Sequence, residues 1–335
     1  MSKKLIEITR GEVVETIHYG DVVVVNSKGE LLYHYGDPNK FTYWRSAAKP
    51  IQAFNVILSG AAEKYGFTDA ELAIMCASHY GEKHHIKTIE SILSKIGLTE
   101  EAILGGTVTS LSSDYALELA ANQTKLNPMY SDCSGKHAGK LSICQHKNYP
   151  LESYKELQHP VQQEILEVMA EMCELQKEDI VIGIDGCSVP VHAMPLKNMA
   201  LAYARLANPE HLSTEYKDAS EKLFAAMTNH PEMISGTNGF CTDLIAASNK
   251  KLVGKVGAEG IYCVGVKDRD IGIAMKMESG NMAVLPPAVI SVLKELDVLD
   301  DTELKALEKY SPMMNSNDLK NKVGEISAVF ELNKD

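Results

Sequence analysis

The spacing of apolar residues changes along this chain, and in the middle of the chain it predicts helices. After Ser46, the apolar residues of 51–58 recur at intervals of three and four, which is the pattern of a buried helix. Proline is tolerated only near the first turn of a helix, so Pro50 places the start of this helix close to Ser46. The same periodicity predicts further helices near residues 86–93, 160–175, 195–208, 217–229, 286–299 and 302–310, and one that follows a loop within 129–146.

Short apolar runs bounded by glycine and charged residues predict strands near both ends of the chain. Residues 21–36 have the pattern of a hairpin, 251–277 that of three antiparallel strands, and 323–332 that of a last strand. Within the helical middle, we expect a short strand near 179–184. The apolar run ELAIMCA is expected to be a strand that leads into the turn at 76–85.

Strands at both ends with helices between them indicate an α+β fold with an antiparallel sheet. We expect one unit of 335 residues, in which about 1–45 and 250–335 build the sheet. The residues between them, about 46–249, are expected to be mostly helical.

Composition and charge exclude several classes of protein. The net charge of −12 argues against a nucleic-acid partner, because binding the phosphate backbone requires clustered lysine and arginine. No run of 18 apolar residues is present, and the first residues lack a secretory pattern. We therefore expect no membrane partner and a cytoplasmic location. The seven cysteines are an odd number without a C-x-x-C pair, which does not indicate a disulfide framework.

The stretch RSAAK (45–49) places a serine and a lysine close together at the start of the first predicted helix. Ser46 and Lys49 are three residues apart, so they share one helical face. A neighbouring lysine amine can activate a serine hydroxyl as a nucleophile. Serine is also a favoured N-cap residue, so an ordinary helix start explains the same pattern.

Two further stretches could carry catalytic groups. In SHYGEKHH (78–85), four polar residues crowd a strand-to-helix turn: Ser78, His79, Glu82 and His85. They fit a functional role, but Ser78 or His79 could equally cap the next helix. Lys255 lies among apolar residues and glycines, and Lys276 has a similar setting. Desolvation lowers the pKa of a lysine, which suits a general base for a serine. The residue pattern does not choose between these two lysines.

Two loops carry a cysteine beside ionisable groups in a glycine-containing turn. DCSGKHAG (132–139) contains Cys133 with Lys136 and His137, and IDGCSVP (184–190) contains Cys187 with Asp185. Two such loops could meet around a zinc ion, and a bound dication would favour loss of the lysine proton. Two unrelated buried cysteines explain the pattern as well, because free cysteine behaves as a small hydrophobe.

The chain resembles the rhizobial-type L-asparaginases, the thermolabile asparaginase II family, from about residue 9 to 330. Six stretches match in order and spacing: RSAAKPIQA, CASHYGEKHH, CSGKHAG, DGCSVP, HPEMISG and LVGKVGA. The resemblance implies an α+β fold similar to serine β-lactamases and penicillin-binding proteins, with an antiparallel sheet packed by helices and a helical domain. It also implies hydrolysis of L-asparagine to L-aspartate and ammonia, and a homodimer.

The resemblance assigns roles to particular residues. The two Ser-Lys tandems of the family fall on Ser46 with Lys49 and on Ser78 with Lys255, so it is the resemblance that selects Lys255 over Lys276. Its zinc ligands fall on Cys133, Lys136 and Cys187, with one ion per chain that is not strictly required for the chemistry. The predicted substrate-binding residues are Arg45, His79, Glu82, His137 and Asp185.

Two other functions stay open at the level of sequence. One is a different Ser-Lys acyl hydrolase, such as a β-lactamase-like amidase or a peptidase, although no S-D-N-type loop follows the S-x-x-K segment. The other is a catalytically idle metal-binding protein that keeps the same fold. An asparaginase would release ammonia from asparagine, whereas neither alternative would.

Overall fold

The structure is a computed structural model that describes residues 1–335. Its strands are β1 (Lys3–Arg10), β2 (Val13–Val25), β3 (Leu31–Tyr35), β4 (Phe41–Tyr43), β5 (Val181–Ile184), β6 (Pro190–Pro195), β7 (Leu252–Gly257), β8 (Ile261–Val266), β9 (Ile271–Met277), β10 (Met313–Ser316), β11 (Lys322–Ala328) and β12 (Asn333–Lys334). Its α-helices are α1 (Lys49–Leu58), α2 (Ala61–Tyr65), α3 (Asp69–Met75), α4 (Lys83–Lys95), α5 (Ser113–Ala121), α6 (Ser134–Lys147), α7 (Pro160–Cys173), α8 (Leu196–Ala207), α9 (Thr214–Asn229), α10 (Phe240–Ala247), α11 (Leu285–Glu295) and α12 (Asp301–Ala306). None of these helices combines the length and the apolar character that a membrane span requires.

The chain forms two compact units, and each is built from separated segments. The first unit comprises residues 1–47, 194–208 and 243–335, and the second comprises 48–193 and 209–242. The predicted α+β class, with an antiparallel sheet packed by helices and a mostly helical second part, is confirmed.

The first unit is organised around a nine-stranded antiparallel sheet. Seven strands follow the order β10-β11-β1-β2-β9-β8-β7, while β3 pairs with β2 and β12 pairs with β3. The long strand β2 pairs with β1 through its first half and with β9 through its second half. Strands β8 and β9 are buried along their whole length, so their sequences are continuous apolar runs rather than alternating ones.

Helix α8 lies directly on this sheet because two paired glycines let it approach. Gly265 of β8 pairs with Gly272 of β9. A Cβ atom added at Gly272 would lie 2.0 Å from the carbonyl oxygen of Ala200, and one at Gly265 would lie 2.3 Å from that of Tyr203. Any side chain at either position would therefore push the helix off the sheet.

The second unit is mostly helical, and its two central helices carry the chemistry predicted from the sequence. Helix α1 is buried from Lys49 to Val56 and packs against α6, α7 and α9. Helix α6 is buried from Ser134 to Cys144 and packs against α1 and α3. The only strand pair inside this unit joins residues 181–184 of β5 to 190–193 of β6.

Most predicted elements are present, but the prediction of a strand before Ser78 is wrong. Residues 69–75 form helix α3 instead. Thr68 explains this outcome, because its hydroxyl accepts from the Glu71 amide at 3.3 Å and its own amide donates to the Glu71 carboxylate at 2.7 Å. This reciprocal capping box starts a helix despite the apolar run that follows. The structure also contains β1 and β6, for which the sequence pattern predicted no strands.

Candidate functional site

The second unit holds a buried lysine in contact with a buried serine. Lys49 begins α1, and only 1% of it is exposed. Its Nζ donates to Ser78 Oγ at 2.9 Å, to the Asp132 carbonyl oxygen at 3.3 Å and to Asp132 Oδ2 at 3.2 Å. An ammonium group has three protons to donate. Lys49 is therefore fully used as a donor, and it fixes the position of the Ser78 hydroxyl.

The backbone around Ser78 is held in an extended conformation. Helix α3 ends at Met75, and the Ser78 amide donates to the carbonyl oxygen of Ile234 at 3.0 Å. Two residues on, the Tyr80 amide donates to the carbonyl oxygen of Ser235 at 2.8 Å. These backbone bonds align residues 78–80 with 234–235, so Ser78 does not act as a helix cap.

Asp132 belongs to this site, although no role was predicted for it from the sequence. Burial alone would raise the pKa of its carboxyl group, but the Lys49 charge and the hydrogen bonds that the group accepts lower that pKa to about 2. Asp132 Oδ2 also accepts from the Cys133 thiol at 3.4 Å. The sequence feature that could have identified Asp132 as a site residue is its position directly before Cys133 in DCSGKHAG. Asp132 thus connects the lysine and the first cysteine loop.

The surrounding charges decide the protonation state of Lys49. Burial would lower the pKa of this amine, but the negative charge of its surroundings, including the Asp132 carboxylate, outweighs burial and raises the pKa above its ordinary value. Lys49 is therefore an ammonium ion at neutral pH in this state. It must lose a proton before it can act as a base.

The two cysteine loops meet in the same unit. Cys133 is the N-cap residue of α6, and Cys187 lies in the turn between β5 and β6. Both are 6% exposed, and they form an apolar cluster with Val189. Lys136 Nζ donates to Cys187 Sγ at 2.9 Å and lies 3.8 Å from the Asp185 carboxylate. All the cysteines are free, so the pair is not a disulfide.

The chemistry of this donor set fits a zinc ion. Two sulfurs and one amine nitrogen converge in a buried place, and zinc favours sulfur and nitrogen ligands. A hydrogen bond from Cys133 and the Lys136 charge lower the pKa of Cys187, although burial opposes them. Burial would lower the pKa of Lys136, but the acidic groups around it, the two cysteines and Asp185, raise it, so metal binding would displace the lysine proton.

The two histidines predicted to bind substrate are buried; His79 is hydrogen-bonded through both ring nitrogens, and His137 through Nδ1 while its Nε2 has no hydrogen-bond partner. His79 is 1% exposed; its Nδ1 accepts from the Gly81 amide at 3.1 Å and its Nε2 donates to Ser134 Oγ at 2.8 Å. Burial and the neighbouring His85 hold the pKa of His79 well below its ordinary value. His137 contacts the Tyr154 hydroxyl through Nδ1 at 2.6 Å, and burial lowers its pKa to about 4. Both rings are therefore neutral at pH 7.

Glu82 lies at the wall of an open cleft of about 680 Å³. Residues 80–84, 112–118 and 237–238 contribute to its lining. The Glu82 carboxylate accepts from the amide and the hydroxyl of Thr237, each at 3.1 Å. Glu82, His84 and His85 are also close enough to share a metal ion. However, His85 already donates to the Glu232 carbonyl oxygen and accepts from the Glu82 amide, so this group is the poorer metal site.

The first unit contains the remaining predicted residues. Ser46 lies in a 3-10 helix, Arg45–Ala48, in which Arg45 adopts a φ of 54°. Lys255 is on β7 with no exposed surface, and its Nζ donates to the Val256 carbonyl oxygen at 2.7 Å. Lys276 on β9 is 8% exposed and donates to the Met277 carbonyl oxygen at 2.9 Å. Both lysines are buried, whereas the sequence pattern fitted either the solvent face or the interior for each.

A family model described as L-asparaginase II matches residues 6–328. The chain belongs to the L-asparaginase II family. L-asparaginases hydrolyse an amide, so the family places the chain among the amidohydrolases. Among curated proteins, none matches this chain.

Several solved structures are similar to this chain at low identity. A β-lactamase from Mycobacterium bovis is 13% identical with a TM-score of 0.44, covering 82% of this chain and 94% of that one. A Bacillus glutaminase is 14% identical with a TM-score of 0.35, covering 83% and 91%. Mglu in its native form is 14% identical with a TM-score of 0.37, and this chain spans 85% of its own length and 63% of Mglu.

Proposed function

We propose that this chain hydrolyses L-asparagine to L-aspartate and ammonia through a covalent acyl-enzyme. The observation that carries the proposal is the buried contact of 2.9 Å between Lys49 Nζ and Ser78 Oγ. A serine hydroxyl that is hydrogen-bonded to a lysine inside a protein can pass on the proton that a serine nucleophile gives up. Family membership then favours asparagine as the amide.

The roles proposed for the individual residues follow from the chemistry of an amide. An amide is a poor acyl donor, so attack by a serine divides one difficult step into two easier ones. We propose Ser46 as the nucleophile, with Lys49 as the group that accepts its proton. Ser78 and Lys255 pass that proton to the leaving ammonia. Since Lys49 is charged in this state, its proton must first move away.

The zinc site is proposed to orient the substrate rather than to activate water. Cys133, Lys136 and Cys187 would hold the ion, with Asp185 and His137 beside it to contact the substrate. Zinc bound there would neutralise the thiolate charge that keeps the proton on Lys49. The rhizobial-type subfamily, a homodimer and a cytoplasmic location stay predictions of the sequence resemblance.

Purified protein is expected to release ammonia from L-asparagine far faster than from L-glutamine. One extra methylene changes binding by only about 1–3 kcal/mol in an apolar pocket. A short substrate held by polar groups at both ends should be discriminated more strongly, because the longer one leaves those groups unpaired. A coupled ammonia assay with both amides, together with a hydrolysis assay on a β-lactam, measures this. Equal rates on the two amides, or turnover of the β-lactam alone, would contradict the proposal.

The protein is expected to bind one zinc ion per chain, and Cys133→Ser and Cys187→Ser are each expected to lose it. Thiolate ligands compete with protons, so the ion should also leave as the pH falls. Cys144→Ser is the matched control, because Cys144 is buried on the same helix, α6, without a predicted ligand role. Metal analysis by mass spectrometry measures the zinc content of the wild type and of each variant. Full occupancy in either ligand variant would rule out the site. Removing zinc should raise KM more than it lowers kcat.

A further inference from the structure

The backbone is strained in the Ser46 turn (residues 44–47), which belongs to the first unit. Arg45, directly before Ser46, has a φ of 54°, in the left-handed region that residues other than glycine seldom adopt. Such a conformation costs free energy and persists only where the surrounding structure fixes it. Trp44 and Ala47, the two ends of the turn, have no exposed surface. The groups packed against these two residues therefore decide where Ser46 lies.

A tyrosine and a cysteine hold the two ends of the Ser46 turn. Tyr203 of α8 is fully buried, and its hydroxyl donates to the Ala47 carbonyl oxygen at 2.7 Å. The Tyr203 ring also contacts the ring of Trp44, with centroids 6.2 Å apart. At the other end, Trp44 Nε1 donates to Cys263 Sγ on β8 at 3.3 Å. The turn is thus attached both to the sheet and to the helix that lies on it.

Gly257 of β7 lets the Ser46 turn lie directly against the sheet. A Cβ atom added at Gly257 would lie 2.7 Å from the Trp44 carbonyl oxygen and 3.2 Å from the Ala47 amide nitrogen. Both of these are backbone atoms, so no side-chain rotation can make room for the Cβ atom. Replacing Gly257 with alanine would therefore displace the turn.

Lys255 lies on the face of the sheet that carries these attachments. Lys255 and Gly257 are two residues apart on β7, so they point to the same face. Lys255 also pairs with Cys263 across β7 and β8, and paired residues of antiparallel strands share a face. The contacts of the turn with Gly257 and Cys263 therefore bring Ser46 to the face that carries Lys255.

We propose that Tyr203 and Gly257 are positioning residues, which fix the Ser46 turn so that the Ser46 hydroxyl is correctly placed to attack the amide. This inference rests on the proposed function, in which Ser46 is the nucleophile. An error of about 1 Å in the position of a reacting group can reduce the rate about a hundredfold. Loss of positioning should lower kcat and leave KM nearly unchanged, because the groups that bind the substrate are still present.

Tyr203→Phe is expected to lower kcat for L-asparagine at least about tenfold, with KM within about twofold of the wild type. The variant lacks the hydroxyl that holds Ala47 but keeps the ring against Trp44. Tyr310→Phe is the matched control, because the Tyr310 hydroxyl donates to the Asp243 carboxylate at 2.7 Å in the same unit. The control should keep the wild-type kcat, even if thermal unfolding shows a similar loss of stability in both variants.

Gly257→Ala is expected to lower kcat about a hundredfold, again with little change in KM. Gly254→Ala makes the same substitution on the opposite face of β7 and is its control. A Cβ atom at Gly254 would meet only side-chain atoms of Tyr262 and Leu244 within 3.2 Å, and these can move aside. The control should therefore keep its kcat. If Gly257→Ala did not fold, the comparison of Tyr203→Phe with Tyr310→Phe would decide.

Labelling with phenylmethylsulfonyl fluoride tests the position of Ser46 without asparagine. The Ser46 oxygen should displace fluoride from the sulfur of the reagent, and peptide mapping should find the label on residue 46. Both positioning variants should be labelled at least about tenfold more slowly than the wild type, whereas both controls should match it. If the wild type released no ammonia from L-asparagine but showed this labelling pattern, the proposed function would fail and the positioning roles would stand.

Three outcomes would overturn the positioning roles. The positioning variants and their controls could have the same kcat and the same labelling rate. KM could rise while kcat stayed unchanged, which would indicate a role in binding. The label could attach to Ser78 and not to Ser46 in the wild type; with ammonia release intact, this would leave the asparaginase activity standing and remove the role of the Ser46 turn.

Discussion

Replacing Ser46 with alanine is expected to abolish ammonia release from L-asparagine. A nucleophile and its base act as a unit, so the loss of kcat should be at least about ten-thousandfold. The same change should leave the fold intact, because Ser46 does not cap α1: the N-cap position is Ala48. Steady-state kinetics with a coupled ammonia assay, and thermal unfolding of the same preparation, measure the two effects.

Ser59→Ala is the matched control for this variant. Ser59 lies at the opposite end of α1, where its hydroxyl donates to the Val56 carbonyl oxygen at 3.3 Å. Ser59→Ala removes the same hydroxyl group from a serine, but this variant should keep the wild-type activity. If Ser46→Ala kept more than about a tenth of the activity, Ser46 would not be the nucleophile, and Ser78→Ala would then show whether the other serine attacks.

Replacing Lys49 with methionine is expected to remove activity and also to destabilise the second unit. We expect kcat to fall at least about a thousandfold, because Lys49 holds Ser78 and is the proposed base. We also expect a loss of about 3 kcal/mol of unfolding free energy. The variant leaves the Asp132 carboxylate largely buried without its cation, and an uncompensated buried charge is costly.

The double variant Lys49→Met/Asp132→Asn separates the two effects. Removing the carboxylate charge should restore stability to within about 1 kcal/mol of the wild type, while the activity stays lost. Urea unfolding and the ammonia assay on the same samples measure both. A double variant that regained activity would show that Lys49 has only a structural role.

Lys140→Met is the control for removing a buried lysine. Lys140 is 3% exposed, and its amine bonds to the amide oxygens of Gln52 and Gln162 at 3.4 and 3.2 Å. Burial lowers the pKa of this lysine to about 7. No carboxylate loses its partner in this variant, so its stability should change far less than that of Lys49→Met.

The fold class could be predicted from the sequence because its strongest periodic segments are also its core. The apolar spacing of 51–58 and the runs of 251–277 correspond to α1 and to β7, β8 and β9, which are largely buried. Strand β1 was missed because its eight residues mix charged and apolar positions without a clean period. Helix α3 was mistaken for a strand because a short apolar run does not distinguish the two, and the Thr68 cap was overlooked.

Within the site, only contacts between residues close together in the sequence could be predicted from their spacing. Cys133 and Lys136 are three residues apart at the start of one helix, α6, so local spacing alone places them near each other. The contact between Lys49 and Asp132 could not be found in this way, because it joins residues 83 positions apart. Desolvation alone would lower the pKa of Lys49 and predict a neutral amine. The pKa is raised instead, because charged groups from separate loops surround the amine.

Strand β2 has a consequence for how this chain folds during synthesis. Its buried half, Gly20–Val25, pairs with Met277–Gly272, almost 250 residues later in the chain. At roughly 5–20 residues per second, the ribosome needs on the order of ten to fifty seconds to produce that partner. Until then the four consecutive valines Val22–Val25 have an unpaired edge in the nascent chain. Protection by a chaperone should therefore matter most during this interval, before residues 272–277 emerge.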